Sequence, residues 1–441
     1  MDDLRISGEL LDFIGESPSM FHTAHNLSQR LEAAGFTRLR ESEGWRLEPG
    51  RSYYVLRNNS STLAFRIGEE VDARSCHFQI CASHGDSPSF KVKSVGELAG
   101  PGGYLRLNVE AYGGGIDGSW LDRPLSLAGR VLVREGSRVV SRLFAPDRDL
   151  LLIPSVAIHM NRDVNKGMAF NRQVDLCPLL SAGELKRGAL DALIADDLGV
   201  SPEQVLGRDL FLTNRQPGLV WGAEREFVSS PKLDDLQCAF VSLEALLASE
   251  NPRTVSVLAC FDNEEVGSGT KQGALSTFLR DVLLRVCLGL GGGNEDYLRA
   301  QARSFMVSCD NAHAVHPNHP ELTDDENHAW LNQGIVVKEA ANQAYTTDAF
   351  SRSLFAAICA DAGVPVQAFA NRSDSAGGST LGNLSNMQMS MHAVDMGLPQ
   401  LAMHSSFETA GVRDTAWALQ ALAAFYGTNV QIDEADAVTL G

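Results

Sequence analysis

The sequence predicts an α/β protein, in which helices flank a central sheet and a β-rich domain is inserted into the chain. Three observations support this fold class. Helical and buried-strand patterns alternate beyond residue 229, which is typical of a sheet with flanking helices. Short β-prone segments lie between residues 46 and 81. The block from 92 to 228 is rich in Gly/Pro turns and strand-like pieces.

The N-terminal part of the chain predicts two short helices followed by strands. Apolar residues recur at helical spacing from residue 7 to residue 35, where Ser17-Pro18 interrupts the pattern and Gly35 ends it. The next segments are short, β-prone and bounded by turn residues, as strands are. We expect these strands at residues 53–56, 63–65 and 77–81.

Changes of pattern predict the domain boundaries. Residues 1–91 and 229–441 are expected to form one discontinuous domain, and residues 92–228 an inserted β-rich domain. The alternation in the last part predicts helices at 235–247, 276–290, 350–362 and 415–426, and strands at 254–261, 304–308, 366–369 and 400–403.

Composition excludes some classes of function. The chain has 441 residues with 37 Lys+Arg and 55 Asp+Glu, a net charge of −18, which argues against nucleic acid or an anionic membrane as a partner. No run approaches the roughly 18 apolar residues of a membrane span, and the N-terminus lacks a signal-peptide pattern. The eight cysteines include no C-x-x-C pair and indicate reduced core thiols. We therefore expect a soluble, cytoplasmic globular protein.

Potential metal ligands follow four of the predicted strands. In open α/β sheets the functional crevice lies at the carboxyl ends of the strands, so side chains distant in sequence can converge there. The strand-end residues are His84 with Asp86, Glu264 with Glu265, Asp310, and His404.

Asp234 is a fifth candidate, immediately before a predicted helix. Asp is favoured at helix N-caps, which is the simpler interpretation. If Asp235 is the cap, Asp234 is free to bind a metal. The triplet His84-Gly85-Asp86 leaves a similar choice, because Asp86 could orient a metal-bound imidazole or belong to an ordinary polar turn.

The adjacent pair Glu264-Glu265 is the stronger signal. A hydrolytic metal site needs a carboxylate ligand and a separate carboxylate that takes a proton from the attacking water. Adjacent glutamates can divide those tasks. By contrast, the segment 113–118 fits G-x-G-x-x-G but is not followed by a clear helix, and therefore indicates a turn rather than a dinucleotide site.

Several segments, taken together, resemble the successive motifs of the M18 metallopeptidases, the aspartyl aminopeptidase family. The resemblance covers nearly the whole chain in order. It rests on residues 82–91, 261–268, 310–318 and 403–405, with further matches at 120–125, 158–162 and 371–374.

The resemblance implies an aminopeptidase with two divalent ions, zinc first and manganese or cobalt as alternatives, on a catalytic sheet with an inserted β-rich assembly domain. Asp234 would bridge the ions and Glu264 would be the general base, with Asp86 supporting His84. The remaining implied ligands are His84 and Asp310 on one ion and Glu265 and His404 on the other. His159 would act either as a ligand or as a transition-state stabiliser from a neighbouring subunit.

The resemblance also bears on substrate and assembly. Many such enzymes prefer acidic N-terminal residues, and Lys338, Tyr345 and Arg372 resemble substrate-binding positions; a solvent-facing Lys338 is the simpler alternative. Ser155 stands where some relatives carry His, which leaves the acidic preference open. The implied partners are peptide substrates and copies of the chain in a large homo-oligomer. The alternatives are a two-metal hydrolase of another small amide and a non-catalytic scaffold that retains the fold.

Overall fold

The computed structural model describes residues 2–441. Within this range the helices are α1 (Asp3–Gly15), α2 (Met20–Ala33), α3 (Ala189–Leu198), α4 (Leu233–Ala248), α5 (Phe278–Gly289), α6 (Asn294–Ala302), α7 (Ala349–Asp361), α8 (Leu381–Asn386) and α9 (Val412–Gly427).

The strands of the same range form four sheets. They are β1 (Thr37–Leu39), β2 (Ser52–Arg57), β3 (Ser61–Ile67), β4 (Phe78–His84), β5 (Ser89–Ala99), β6 (Leu105–Tyr112), β7 (Leu125–Glu135), β8 (Arg138–Phe144), β9 (Leu179–Ser181), β10 (Val205–Asn214), β11 (Leu219–Trp221), β12 (Phe227–Ser230), β13 (Val255–Phe261), β14 (Phe305–Cys309), β15 (Ala312–His313), β16 (Ile335–Glu339), β17 (Val366–Ala370), β18 (His392–Gly397), β19 (Pro399–Leu401), β20 (Glu408–Gly411), β21 (Val430–Glu434) and β22 (Ala437–Leu440).

The largest sheet has nine strands in the order β1-β2-β3-β13-β4-β14-β18-β16-β17. Its central strands β13, β4, β14 and β18 are parallel to one another. Antiparallel pairings join β3 to β13 on one side and β16 to β18 on the other. The parallel centre brings the carboxyl ends of neighbouring strands to one edge, where functional side chains can meet.

Both faces of the nine-stranded sheet are covered. Along β13, Leu258 and Cys260 pack into a core with α1, α2, α4, α7 and α9, whereas Val257 and Ala259 pack into a second core with α5 and α6. Burial on both faces explains why this strand is a continuous apolar run rather than an alternating one. The mixed α/β fold class predicted from the sequence is confirmed.

A six-stranded sheet, in the order β8-β7-β10-β5-β6-β9, is formed entirely from residues 89–214. It has its own core, which includes Val131, Leu210 and Ile194 of α3. This β-rich block contains the helix α3, which the sequence pattern did not predict. The independence of residues 92–228 as an assembly domain remains a prediction.

The position of β19 corrects one expectation. We expected His404 to follow a strand of the same sheet that carries His84 and Asp310. Instead, β19 belongs to a separate five-stranded sheet, in the order β11-β12-β20-β19-β15. The chain leaves the main sheet at Gly397 and enters the smaller sheet at Pro399, so His404 approaches the same edge from another direction.

The helix and strand predictions hold for most of the chain. The two N-terminal helices and the strands at 53–56, 63–65, 77–81 and 254–261 all have counterparts, with boundaries shifted by a few residues. Over residues 2–441, no helix is both long and apolar enough to cross a membrane.

Candidate metal centre

Three adjacent strands deliver the first set of potential ligands. His84 is the last residue of β4 and lies opposite Phe261 of β13, so the loop carrying Glu264 and Glu265 begins beside it. Asp310 directly follows β14, the neighbour of β4 on its other side. The predicted convergence of strand ends is therefore present in the main sheet.

Asp234 lies between two imidazoles. Its Oδ1 is 3.5 Å from Nε2 of His84, and its Oδ2 is 3.4 Å from Nε2 of His404. Nε2 of His404 is also 3.3 Å from Oε2 of Glu265. Each oxygen of one carboxylate thus faces a different imidazole, which is the arrangement expected of a carboxylate shared by two cations.

Backbone carbonyls orient both imidazoles. Nδ1 of His84 lies 3.0 Å from the carbonyl oxygen of Asp86, and Nδ1 of His404 lies 3.0 Å from that of Gly114. A proton on each Nδ1 would be donated to the carbonyl, which leaves both Nε2 atoms free to accept a metal. The Asp86 carboxylate is 3.5 Å from His84 Nδ1, so the residue supports the ring mainly through its main chain.

The residues fit divalent cations on three grounds. Potential ligand atoms within 4.8 Å of one another fall into three groups, formed by His84 with Asp234, Asp235 and Asp310, by His84 with Glu264 and Glu265, and by Asp234 with Glu265 and His404. Within the described residues, the buried atoms Asp234 Oδ1 and Glu265 Oε1 have no hydrogen-bond partner. The set of imidazole and carboxylate donors suits zinc, manganese or cobalt.

The electrostatics of the site also favour a cation. Burial raises the pKa of Glu265 well above its usual range, and the charge of Asp234 raises it further. Burial opposes protonation of His84, yet the charge of Asp235 and the contacts with Asp234 and Asp86 raise its pKa well above the usual value. Crowded buried carboxylates are costly unless positive charge compensates them, and bound dications would supply that charge.

Glu264 lies beside the ligands in a partly buried position. Its backbone N–H donates to Oδ1 of Asp86 at 3.2 Å, and the N–H of Glu265 donates to Oδ2 at 3.2 Å. Burial raises the pKa of Glu264 to about 8. Glu264 is therefore a carboxyl group within reach of the candidate ligands, where a proton-transfer group would be needed.

The other predicted site residues differ in how exposed they are and in what they contact. His159 is exposed and belongs to none of the ligand groups found in residues 2–441. Arg372 has a side chain 39% exposed and pairs with Asp374 at 2.7 Å. Tyr345 is buried and accepts a hydrogen bond from Nδ2 of Asn371 at 3.3 Å.

Lys338 is not the solvent-facing lysine of the simpler alternative, because it is only 2% exposed. Its ammonium donates to the carbonyl oxygens of Asp310 at 2.7 Å and Asn311 at 3.1 Å. It also lies 5.3 Å from the ring centre of Tyr345. These contacts hold the backbone that carries Asp310.

The sequence assigns no role in the site to three residues, Asp235, Tyr112 and Glu408. The backbone of Asp234 and Asp235 at the start of α4 is non-helical, with φ −81°, ψ 107° and φ −121°, ψ 23°, and Asp235 Oδ2 accepts the N–H of His84 at 3.1 Å, so this side chain binds the end of β4. Tyr112 donates its hydroxyl to Asp86 Oδ2 at 2.7 Å. Glu408 is buried and accepts the N–H groups of two candidate ligands, Asp234 and His404. Of the three, only Asp235 could have been recognised in the sequence, because it is adjacent to Asp234 and adjacent acids can divide two tasks.

Imidazoles and carboxylates gathered at the ends of parallel strands, with a further carboxylate beside them, define a metal-dependent hydrolase. A family model described as "Aminopeptidase I zinc metalloprotease (M18)" matches residues 13–426. The chain belongs to the M18 peptidase family, whose members are metallo-hydrolases.

Individual relatives agree with this assignment. The chain is 43% identical over 429 residues to the probable M18 family aminopeptidase 2 of Clostridium novyi, covering 96% of this chain and 99% of the relative. A Pseudomonas aeruginosa protein with the same name is 41% identical over 425 residues, covering 95% and 97%.

Solved structures support the fold as well. A chain of the cryo-EM structure of the Ape4 and Nbr1 complex superposes with a TM-score of 0.93 and 36% identity, covering 96% of this chain and 86% of that one. The structure of the mApe1 dodecamer of Saccharomyces cerevisiae gives a TM-score of 0.83 and 26% identity, covering 96% of each chain.

Proposed function

We propose that this aminopeptidase holds two divalent ions and removes the N-terminal residue of peptides with Glu264 as the general base. Asp234 would bridge the ions. His84 and Asp310 would hold one ion, and Glu265 and His404 the other. Zinc is the ion in the family's description, and manganese or cobalt would accept the same donors.

The observation that carries the proposal is the position of Asp234. Its two oxygens face His84 Nε2 and His404 Nε2 at 3.5 and 3.4 Å, so one buried carboxylate contacts two separate groups of candidate metal ligands. When bound, the ions would polarise the scissile carbonyl and make water a better nucleophile at neutral pH.

The protein's own groups would then position and move the protons. Glu264 would take a proton from the attacking water and return it to the leaving amine, and its position beside His84 and Glu265 places the carboxyl within reach of both. Asp86 fixes the loop of Glu264 through two N–H groups, and Tyr112 holds Asp86 in turn. The free amine of the substrate would be anchored by the surrounding carboxylates, which accounts for action at the N-terminus.

Selectivity for acidic N-terminal residues forms the finer part of the proposal. Of the three implied substrate-binding residues, Lys338 already donates to two carbonyls and Tyr345 is buried. Arg372 has an exposed guanidinium beside a cavity lined by Asn371 and Gly377. Arg372 also pairs with Asp374, but its accessibility beside this cavity favours it over the two buried residues as the group that meets an acidic side chain.

Self-association is proposed on two grounds. The relative from Saccharomyces cerevisiae is described as a dodecamer. In this chain, the segment around His159 exposes Val156, Ile158 and Met160, the last to 81%. An exposed apolar segment is typical of an interface, and burial between copies would allow His159 to reach a neighbouring centre.

The test is the variant Glu264→Gln, which removes the base and keeps the shape of the side chain. We expect kcat on an unblocked peptide to fall by about 10²–10⁴-fold with the metal content retained. Glu184→Gln, which changes an exposed acid, is the control. Full activity of Glu264→Gln would refute the base assignment, and hydrolysis of N-acylated but not free peptides would favour the alternative small-amide hydrolase.

A further inference from the structure

Glu408 is a buried acid that binds the main chain of two candidate ligands. It is the first residue of β20 and is 1% exposed. Its Oε1 accepts the backbone N–H of His404 at 2.6 Å, and its Oε2 accepts the backbone N–H of Asp234 at 3.0 Å. In the described part of the chain it forms no ion pair within 4.0 Å, so both oxygens serve main-chain donors.

The two donors belong to segments that are distant in sequence. Asp234 follows Lys232, which has φ +59°, and His404 itself has φ +65°. Asp234 lies in the first turn of α4 but has non-helical backbone angles (φ −81°, ψ 107°), His404 lies between β19 and β20, and their side chains come within 3.4 Å of each other. One buried carboxylate that binds both N–H groups therefore links the two segments.

We propose that Glu408 is a positioning residue that sets the spacing of Asp234 and His404, and thereby the affinity of the ion these residues would share with Glu265. The inference rests on the proposed two-ion centre. Metal-ligand side chains need their supporting hydrogen bonds, and the loss of such a support typically lowers metal affinity by about 10–100-fold.

The other supporting acids act elsewhere, which makes the role of Glu408 separable. Asp86 accepts the N–H groups of Glu264 and Glu265. Asp235 accepts the N–H of His84. Among these acids, Glu408 alone contacts the main chain of His404. A defect at Glu408 should therefore affect the ion on the His404 side more than the ion on the His84 side.

The chemistry of the side chain explains why an acid is required. A carboxylate offers an acceptor on each oxygen, whereas a glutamine offers one acceptor and one NH₂ donor. In Glu408→Gln, the backbone N–H of either His404 or Asp234 would lie against the NH₂ group of the glutamine, which cannot accept a hydrogen bond. The two buried donors would be left unpaired, and this should move His404 and Asp234 apart.

The experiment is a titration of the metal-free, full-length protein with Co²⁺, followed by visible absorption and equilibrium dialysis. The variants are Glu408→Gln and Glu408→Asp, with Glu184→Gln as the matched charge control. His404→Ala and His84→Ala identify which of the two ions each binding step represents. Circular dichroism at each point checks that the fold is retained.

We expect Glu408→Gln to lower the Co²⁺ affinity of the binding step that depends on His404 by about tenfold or more. The Co²⁺ affinity of the step that depends on His84 should change by less than about twofold. Glu408→Asp keeps two acceptors on a shorter side chain, and should recover part of the lost affinity. Such partial rescue would not follow from a purely structural role.

Two results would overturn the inference: unchanged affinity of the His404-side step in a folded Glu408→Gln protein, or an equal loss at both steps. If Glu408→Gln does not fold, an Asp variant with wild-type affinity at that step would also overturn it. Failure of the proposed function looks different, because wild-type protein would then bind fewer than two ions.

Discussion

At the scale of single residues, the burial of His22, which is not among the candidate ligands, should make the free energy of unfolding depend on pH. It lies on α2, partly buried, with Nδ1 2.8 Å from the hydroxyl of Ser19. Burial, assisted by the charges of His25 and Lys232, lowers the pKa of His22 from 6.5 to about 4. The folded protein therefore keeps this imidazole neutral where the unfolded chain would protonate it.

The sign of the pH effect follows from proton binding. Between pH 6.5 and about 4 the unfolded chain binds the proton and the folded protein does not, so the free energy of unfolding decreases as the pH falls through this window. The contribution is fully present above pH 6.5. His22→Asn, which can keep the contact with Ser19, removes the titrating group.

We expect the metal-free wild type to lose about 1–2 kcal/mol more stability than His22→Asn between pH 7 and pH 5. Urea unfolding at the two pH values measures this difference. His319→Asn, at an exposed loop position, should behave as the wild type does. Parallel pH profiles for wild type and His22→Asn would show that His22 is not the source of the effect.

Sequence patterns indicated the candidate ligands that follow strands and missed the groups that support them. His84 and Asp310 are recognisable because each directly follows an apolar, β-prone segment, and strand ends meet at one edge of a sheet. Glu408 has no such signal, since its role depends on main-chain N–H groups of residues 4 and 174 positions away. Lys338 resembled a substrate-binding position, with a solvent-facing lysine as the simpler alternative, and only the fold reveals the carbonyls that it contacts.

At the scale of secondary-structure elements, a close approach between β18 and the loop after β14 places Asp310. Gly397 ends β18, and an added Cβ there would lie 2.0 Å from the carbonyl oxygen of Asp310. This oxygen accepts a hydrogen bond from Lys338. The absence of a side chain at residue 397 thus allows the backbone of a predicted ligand to pack against the neighbouring strand.

Gly397→Ala should displace Asp310 and disturb the candidate metal centre. We expect the free energy of unfolding to fall by about 2–3 kcal/mol, because the added methyl group overlaps the main chain and not a flexible side chain. Zinc bound per chain, measured by elemental analysis after dialysis, should fall as well.

Gly8→Ala is the control for this substitution. A Cβ at residue 8 of α1 meets nothing within 4 Å, so alanine should be neutral or should stabilise the helix by about 0.5–1 kcal/mol. A Gly397→Ala protein with wild-type stability and zinc content would contradict the argument that this approach positions Asp310.

The elements themselves differ in how well the sequence predicts them. The segment 254–261 is a continuous apolar run, and the structure has β13 at Val255–Phe261 with both faces buried. The strand β18, His392–Gly397, contains a buried Asp395 and ends in glycine, so its composition does not indicate a central strand. The carboxylate of Asp395 instead accepts hydrogen bonds from Thr346 and Thr380, contacts that depend on tertiary structure.

At the scale of the whole molecule, the net charge of −18 opposes the approach of an acidic peptide. Part of this charge is concentrated at the candidate centre, where bound dications would offset it. The acids of this cluster are Asp86, Asp234, Asp235, Glu264, Glu265, Asp310 and Glu408. A preference for acidic N-terminal residues therefore requires a local positive group that outweighs the overall repulsion.

The decisive comparison uses two peptides that differ only in an N-terminal Asp or Asn. If Arg372 meets the acidic side chain, kcat/KM should be about tenfold higher for the Asp peptide, which corresponds to about 1.4 kcal/mol for one charge-assisted contact. Arg372→Gln should bring the ratio close to one. Arg148→Gln, at an exposed position outside the nine-stranded sheet, should leave the ratio unchanged.

The variant Lys338→Met tests whether Lys338 binds the acidic side chain of the substrate or only holds the backbone of Asp310. Because the ammonium of Lys338 donates to the carbonyl of Asp310, its loss should lower kcat/KM for both peptides and leave their ratio unaltered. Higher salt should raise kcat/KM for the Asp peptide more than for the Asn peptide, since it screens the repulsion from the acidic protein. A ratio that responds to Lys338→Met and not to Arg372→Gln would assign selection to Lys338, and a ratio near one in the wild type would exclude an acidic preference.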